Sequence, residues 1–214
     1  MRRTAEGSFR WVLTMFPTDA YVIDAERPSD DFAEFVTNAC TLNDEISAAA
    51  WRIQSVDQAL VIGWLDGKRH VHLRAEGIDL RFSIDSPRWI NADGSRNSPD
   101  GEIFTGPVED SVEGSIRFSF RIVTVVREVH DIRLRFEAGR GVDDAAGRNE
   151  RFLLDTFDTD EGVRRLGGFA FWTNFGIQRF SKNILFDEKS GGTVNMAIGA
   201  GYLDPGSKNE STVH

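Results

Sequence analysis

Residues 116–136 read IRFSFRIVTVVREVHDIRLRF, a stretch in which apolar and polar residues alternate almost without a break. Successive side chains of a strand point to opposite faces, so this period of two predicts two half-buried strands of an antiparallel sheet. The residues predicted to be buried are Phe118, Phe120, Leu134 and Phe136. Those predicted to face solvent are Arg117, Arg133 and Arg135.

The same alternation recurs in short segments separated by turn residues. We therefore expect further strands at 51–53, 59–64, 69–75, 78–84, 152–157, 168–175 and 179–186. A helix is indicated after Pro28, with Phe32, Phe35 and Val36 on one face. Many short strands at this spacing favour a sandwich or a barrel. The sequence therefore predicts an all-β fold, a single-domain antiparallel jelly roll or flattened barrel with one or two short N-terminal helices.

No linker divides the chain, so we expect residues 1–214 to form a single β-sandwich or barrel domain with a polar tail from about residue 204. The order of the predicted strands resembles the concanavalin-A-like jelly-roll domains. The segments that carry this resemblance are 50–53 (AWRI), 115–122, 131–136, 168–172 (GFAFW) and 179–184 (RFSKNI). It implies a jelly-roll fold and a glycan-binding or glycan-processing class. The Glu-x-Asp-x-x-Glu and Gln-x-His motifs of that group are missing, so no glycan-processing residue is carried over.

Composition narrows the classes of function. The net charge is −9 and basic residues are interspersed with acidic ones, which argues against a nucleic-acid partner. Cys40 is the single cysteine, so an internal disulfide is excluded. The first apolar run is interrupted by Thr14, Pro17 and Asp19, too early for a signal peptide or a membrane span. We therefore expect a cytoplasmic protein without a membrane partner, and a homodimer is left open.

Polar clusters give weak signals. His70 and His72 share one face of a predicted strand, but a zinc site would need further ligands and the only other histidines are His130 and His214. Asp155, Asp158, Asp160 and Glu161 surround a predicted turn that lacks the glycine and terminal glutamate of a helix-loop-helix calcium site. Glu128 and His130 are either an acid–base pair or part of a bulge. We predict no metal site.

Aromatic residues are more suggestive. In a jelly roll they either fill the core or line an apolar pocket with a few polar anchors. The candidate substrate-binding residues are Trp64, Trp89, Trp172, Phe171 and Phe175, and the candidate catalytic residues are His72 and Tyr21. The loop at 85–101, rich in Gly and Pro and carrying Trp89, is the candidate lid.

These features favour an intracellular enzyme that needs no cofactor and acts on an apolar small-molecule substrate. Such an enzyme promotes cyclisation or isomerisation, for instance of a polyketide, mainly by holding a flexible substrate in a reactive shape. The alternative is a glycan-binding or glycan-cleaving concanavalin-A-like domain. A structural or assembly domain is a third interpretation.

Overall fold

The computed structural model describes residues 11–43, 45–85, 87–120, 122–123, 127–202 and 205–213. The chain groups into two compact units. The first unit comprises Met1–Trp64, Asn91–Ile103 and Phe171–Thr193, and the second comprises Leu65–Ile90, Phe104–Ala170 and Val194–His214. The expectation that the whole chain forms a single domain stays a prediction.

The described residues contain both helices and strands. The α-helices are α1 (Asp19–Asp24), α2 (Ser29–Ala39), α3 (Ser47–Leu65), α4 (Glu150–Phe157) and α5 (Ile184–Asp187), with a 3₁₀ turn at Gly162–Arg164. The strands are β1 (Leu13–Thr14), β2 (His70–Ala75), β3 (Ile78–Ser83), β4 (Ile90–Ala92), β5 (Asn97–Ser98), β6 (Glu102–Thr105), β7 (Glu113–Arg117), β8 (Ile122–Val123), β9 (Glu128–Val129), β10 (Arg133–Glu137), β11 (Arg140–Ala145), β12 (Leu166–Trp172) and β13 (Val194–Ile198).

Helix α2 supplies much of the core of the first unit, as the sequence predicts. Its first turn carries Asp30 and Asp31, which are favourable beside the positive end of the helix dipole. Phe32, Phe35 and Val36 recur at helical spacing and are buried. The Phe35 ring lies 5.4 Å from that of Phe186, which belongs to the same core.

The strands expected at 51–53 and 59–64 are absent, because these residues belong to helix α3. It begins Ser-Ala-Ala-Ala, contains no proline, and places its one glycine, Gly63, near its end, so helix propensity is high throughout. Its burial pattern hides this from sequence reasoning, because the polar Gln58 is buried with Leu65 while Ile53 and Leu60 are exposed. Apolar residues that lie outside a single stripe produce no clear helical period.

The second unit contains an antiparallel five-stranded sheet with the order β11-β10-β7-β3-β2. Leu134 and Phe136 of β10, predicted to be buried, are buried, and the three arginines of β7 and β10 are exposed. The prediction for Phe120 is wrong: its side chain is 58% exposed, because β7 ends at Arg117 and the chain leaves the sheet. Phe118 is half-buried. Thr124 and Val126 of the alternating stretch lie outside the described residues.

Two more predicted strands are absent from the described part of the chain. Residues 152–157 belong to α4, in which Leu153 and Phe157, four positions apart, are buried together. Residues 179–186 run through irregular chain into α5. The strand expected at 168–175 is present as β12, in a four-stranded sheet with the order β13-β12-β6-β4. Two-stranded sheets join β1 to β5 in parallel and β8 to β9 in antiparallel orientation.

The fold is therefore mixed α/β, and the expectation of an all-β jelly roll or flattened barrel is wrong. The concanavalin-A-like resemblance fails at two of the five segments that carried it, since 50–53 is helical and 179–184 lies outside the described strands. A short apolar run in a sequence fits either a buried strand or a buried helix. This ambiguity accounts for the wrong fold class and for the wrong family resemblance. Among the helices of the described residues, none is long and apolar enough to cross a membrane.

Candidate functional site

A group of charged side chains is buried in the first unit, where charge is costly unless it is compensated. We call it the carboxyl cluster and define it as Asp100, Glu102, Glu188 and Lys189. Asp100 is 1% exposed and Lys189 is 2% exposed, whereas Glu102 and Glu188 are half-buried. Charged residues are almost never fully buried unless they are paired, so this group is the strongest candidate site in the unit.

Gly101 determines the backbone conformation between Asp100 and Glu102. Its φ is +114°, a conformation that side chains other than glycine rarely adopt. A Cβ atom there would collide with Gln54 Nε2 and would lie 3.1 Å from Asn174 Cβ. Thr173 holds the same peptide, because its backbone N and its Oγ1 donate to Gly101 O at 2.8 Å and 2.9 Å.

Two buried amide side chains fix the neighbouring carbonyl groups. Asn174 Nδ2 donates to Asp100 O at 3.0 Å and to Ala39 O at 2.9 Å. Gln58 Nε2 donates to Glu102 O at 2.9 Å and to Ala92 O at 3.3 Å. The backbone of Asp100 and Glu102 is therefore held by residues from α3 and from the segment after β12.

Burial dominates the acid–base properties of both carboxyls. It raises the pKa of Asp100 to about 6, opposed by the positive charge of Lys189 and by the backbone N–H of Gly94. It raises the pKa of Glu102 to about 8, against the Lys189 charge and with the negative charges of Glu188 and Asp100 adding to the rise. At neutral pH Glu102 therefore holds a proton while Asp100 is mostly ionised.

Lys189 is the cation of the cluster. Its Nζ donates to Glu188 Oε1 at 2.7 Å and lies 4.8 Å from the centroid of the Trp172 ring. Trp172 is 3% exposed, and its Nε1 has no acceptor among the described residues. Asp100 Oδ1 and Gln58 Oε1 are likewise buried without a donor from the part of the chain that the structure describes. Such orphaned polar atoms in a native protein require an explanation, and a ligand is one.

The arrangement can transfer a proton and bind a cationic group. A protonated carboxyl at Glu102 can donate, and an ionised carboxyl at Asp100 can accept or pair with a positive charge. The cluster contains three carboxyls and one ammonium, so negative charge is in excess when all of the carboxyls are ionised.

The predicted site residues are distributed over both units. Trp172 lies in contact with the carboxyl cluster, and Phe171 precedes it on β12 and is half-buried. Trp64, Phe175 and Tyr21 are exposed residues of the first unit. His72 and Trp89 belong to the second unit. The functional roles given to these seven residues stay predictions.

In the second unit His72 and Trp89 make local contacts. His72 Nε2 lies 2.8 Å from Asp79 Oδ1 on an exposed part of the sheet. The Trp89 ring lies edge-on to Phe169, with centroids 6.3 Å apart, and is half-buried.

In the acidic turn at 155–161, donor groups of the protein itself bind the carboxylates of Asp158 and Asp160. Asp160 accepts hydrogen bonds from the backbone N and Oγ1 of Thr212, from Ser211 Oγ and from Val163 N, and these bonds lower its pKa to about 2. Asp158 pairs with Arg164. The carboxylate of Asp160 thus anchors the polar tail.

Sequence reasoning missed Asp100, Glu102, Glu188 and Lys189. The signal available was Asp-Gly-Glu at 100–102 directly before the apolar Ile-Phe-Thr at 103–105. Two carboxyls around a glycine at the start of a buried strand are unusual, because a strand interior excludes charge. The Gly and Pro content of 85–101 led instead to the interpretation of this segment as a surface lid.

Comparisons with known proteins identify a family. A family model described as thermophilic metalloprotease (M29) matches residues 1–213. The chain is 26% identical over 239 residues to Aminopeptidase 2 of Geobacillus stearothermophilus, covering 95% of this chain and 57% of that protein. It is similar to the solved structure of wild-type AmpT from Thermus thermophilus, with a TM-score of 0.73 and 25% identity over 87% of this chain and 51% of that one. The chain thus spans about half the length of these relatives.

A further likeness concerns the fold alone. The structure of 2,5-dihydroxypyridine dioxygenase from Pseudomonas putida KT2440 gives a TM-score of 0.67 at 16% identity, over 94% of this chain and 63% of that one. The family match and the aminopeptidase relatives overturn the concanavalin-A-like assignment and its glycan alternative. They also overturn the expected cyclase or isomerase and its apolar small-molecule substrate. Those expectations rested on abundant aromatic residues. In the structure these residues lie partly in the core, partly on the surface and partly beside the carboxyl cluster.

The family description implies a metal ion, so the described residues must be tested as its ligands. Within 11–202 and 205–213, apart from the gaps stated above, no three or more His, Cys, Asp or Glu side chains converge on a point where they could hold a metal. In the carboxyl cluster, the ammonium of the buried Lys189 pairs with the Glu188 carboxylate at 2.7 Å. The described residues by themselves do not form a complete metal site, and no chemical step is derived through a metal ion.

Proposed function

This chain belongs to the thermophilic metalloprotease (M29) family, and from this premise we propose that it hydrolyses peptides from their N-terminal end. The relatives named aminopeptidase suggest the substrate class. The observation that carries the proposal is the pair of carboxyls at the buried Asp100 and the half-buried Glu102, whose pKa values burial raises and the charge of Lys189 opposes. Because the chain covers about half of these relatives, the activity of the whole protein is part of the proposal.

Peptide hydrolysis adds a water molecule: its oxygen bonds to the carbonyl carbon, the C–N bond breaks, and the leaving amine takes up a proton. The reaction therefore requires a proton donor for the amine and compensation of the negative charge that develops on the carbonyl oxygen. Glu102 is the proposed general acid, because its raised pKa of about 8 leaves it protonated at neutral pH. The Lys189 ammonium is the proposed positive charge near the developing oxyanion. Asp100, with a pKa of about 6, is ionised at neutral pH and is the proposed partner of the substrate's α-ammonium group.

The test uses the leucine p-nitroanilide with a free amine and its N-acetylated form, each with EDTA and with added Zn²⁺ or Co²⁺. We expect cleavage of the free amine only. Glu102→Gln should lower kcat/KM by about 10²–10⁴-fold, the usual contribution of general acid–base catalysis. Glu34→Gln, an exposed carboxylate of the same unit, is the matched control and should leave kcat/KM unchanged. Equal cleavage of both substrates, or no cleavage of either, would contradict the proposal.

Two further statements complete the proposal. A cytoplasmic location is supported by the single cysteine, Cys40, which is buried as a free thiol. A homodimer stays a prediction, and sedimentation of the purified protein tests it.

A further inference from the structure

Helix α3 carries apolar residues on its exposed side as well as on its buried side. Gln58 and Leu65 are buried. On the opposite side Ile53, Val56 and Leu60 are each between 60% and 70% exposed. A single exposed leucine or isoleucine is ordinary, but a continuous apolar row on the surface of a soluble protein indicates a binding surface for a partner.

The exposed row has the spacing of a coiled-coil seam. Together with Ala49 and Gly63, the three exposed residues follow one another at alternating steps of four and three positions. Steps that average 3.5 residues keep a row of side chains facing a neighbouring helix along its length. Around Gly63 the described residues leave open space within 4 Å of the position that a Cβ would take, so a partner can approach closely there. We call these five residues the α3 seam, and their spacing indicates a second helix as the partner.

Two opposite charges flank the α3 seam. Arg52 lies on one edge and Asp57 on the other, and both are exposed. They are the charged residues of α3. Because they are five positions apart, they are not neighbours on the helix surface, where contacts join residues three or four positions apart. Among the described residues neither one has an ion-pair partner.

These charges meet when two copies of α3 lie side by side in the same direction. In a parallel pair of helices, a residue on one edge of the seam lies beside the residue five positions further along the other helix. Arg52 of each copy then lies beside Asp57 of the other copy, which gives two symmetric ion pairs. In an antiparallel pair the equivalent edges meet, so like charges would share one side of the seam.

We propose that α3 forms the interface of a parallel, two-fold symmetric homodimer, in which the α3 seams of two copies pack against each other. A two-fold interface uses the same surface on both copies, so this surface must be complementary to itself. The α3 seam meets this condition, because apolar residues meet apolar residues and each arginine meets an aspartate. The buried side already holds the helix in place, so association requires little further ordering.

A membrane surface fits α3 less well than a second copy does. Helices that lie on membranes carry several lysine or arginine residues on their polar face, and these residues attract anionic lipids. Helix α3 contains one arginine and one aspartate, and the net charge of the chain is −9. The charge pattern therefore favours a partner that supplies both an arginine and an aspartate, as a second copy does.

Sedimentation velocity of the whole chain at micromolar concentration tests the dimer. We expect a species of twice the 24.0 kDa of the chain, and a Tm that rises with protein concentration. Leu60→Glu should weaken dimerisation by at least about 100-fold, because each dimer would bury two unpaired charges. Ala48→Glu is the matched control at an exposed position of the same helix outside the α3 seam, and it should stay dimeric.

An exchange of charges tests the parallel arrangement. Arg52→Asp and Asp57→Arg, each made alone, place like charges beside each other and should weaken dimerisation by about 10-fold. The double variant restores opposite charges and should dimerise as tightly as wild type. Both positions are exposed in the single chain, so circular dichroism should show an unchanged fold for all three variants.

A wild-type chain that stays monomeric, with this face left for a different partner or for a membrane, would overturn the proposal. So would a dimer that Leu60→Glu leaves intact, because its interface would then lie elsewhere. A double charge variant that dimerises as weakly as the single variants would also overturn it, and this comparison decides if Leu60→Glu does not fold. The inference goes beyond the proposed peptidase activity, and sedimentation needs no substrate, so the two can fail separately.

Discussion

The ammonium nitrogen of Lys189 lies 4.8 Å from the centroid of the Trp172 ring, and both side chains are buried. Trp172 closes strand β12, and Lys189 follows helix α5. The negative face of the indole ring attracts a cation, and this attraction increases when water is excluded. The contact therefore links the end of a strand to the residue that compensates the carboxyl cluster.

Two replacements of Trp172 should distinguish the stabilisation from its packing from the stabilisation due to its contact with Lys189. Trp172→Ala should lower the free energy of unfolding by about 3–5 kcal/mol, as large-to-small changes in a core do. Trp172→Phe keeps an aromatic face for Lys189 and removes the unpartnered Nε1, so its loss should be smaller. Urea denaturation measures both. Trp64→Ala, at a tryptophan 68% exposed, is the control and should change stability by less than about 1 kcal/mol. Equal losses for the Phe and Ala variants at position 172 would count against the cation–ring contact.

Stability should depend on pH through Glu102. Its pKa rises from an ordinary 4.5 to about 8 on folding, so between these values the folded protein binds more protons than the unfolded chain. The stabilisation is complete below pH 4.5 and is lost as pH rises through about 8. Glu102→Gln removes this dependence, so the Tm of the variant should fall less than that of wild type between about pH 5 and about pH 9. Asp100 adds a smaller loss of the same sign, from 3.8 to about 6, in both proteins. Parallel Tm curves would refute the assignment.

Gly101 offers a comparison with a second glycine of positive φ. Gly67 has φ +81° and open space around the position of a Cβ, whereas a Cβ at Gly101 would collide with Gln54 Nε2. Gly67→Ala should therefore cost only the backbone strain of about 1–2 kcal/mol. Gly101→Ala should cost about 1–3 kcal/mol more, because overpacking is added. Denaturation of the two variants under the same conditions tests this difference, and equal losses would show that Gln54 simply moves aside.

The alternating stretch provides a pair of phenylalanines in different environments. Phe136 is buried in β10, and Phe120 is 58% exposed beyond the end of β7. Phe136→Ala should lower the free energy of unfolding by about 3–5 kcal/mol. Phe120→Ala should change it by less than about 1 kcal/mol. A large loss at Phe120 would restore the longer strand that periodicity alone predicts.

Local patterns predicted the parts of the fold in which one face is buried and the other solvated. Leu80 and Phe82 of β3 alternate with exposed Asp79 and Arg81, so the period of two is clear. Helix α2 is equally clear, since its apolar side chains recur at positions three and four apart. In these elements, burial on one face produces the pattern directly.

The predictions from sequence fail where polar residues are buried and apolar residues are exposed. In α3 the polar Gln58 is buried because its amide holds two backbone carbonyls, while Ile53 and Leu60 face outward. The site was missed for the same reason. Asp100 and Lys189 are buried by tertiary contacts between segments almost 90 residues apart, and a pattern along one segment carries no record of such contacts.

The long-range hydrogen bonds of the Asn174 amide have a consequence for the order in which contacts form during folding. Its two donated hydrogen bonds reach carbonyl groups 135 and 74 residues earlier in the chain. Closing loops of such length sacrifices chain entropy before any contact compensates for it, so contacts of this kind form late on a folding pathway. The peptide that carries Asp100 is thus fixed only after α2 and the segment beyond β12 have found each other. Refolding chains should gain their helices well before they gain a working site.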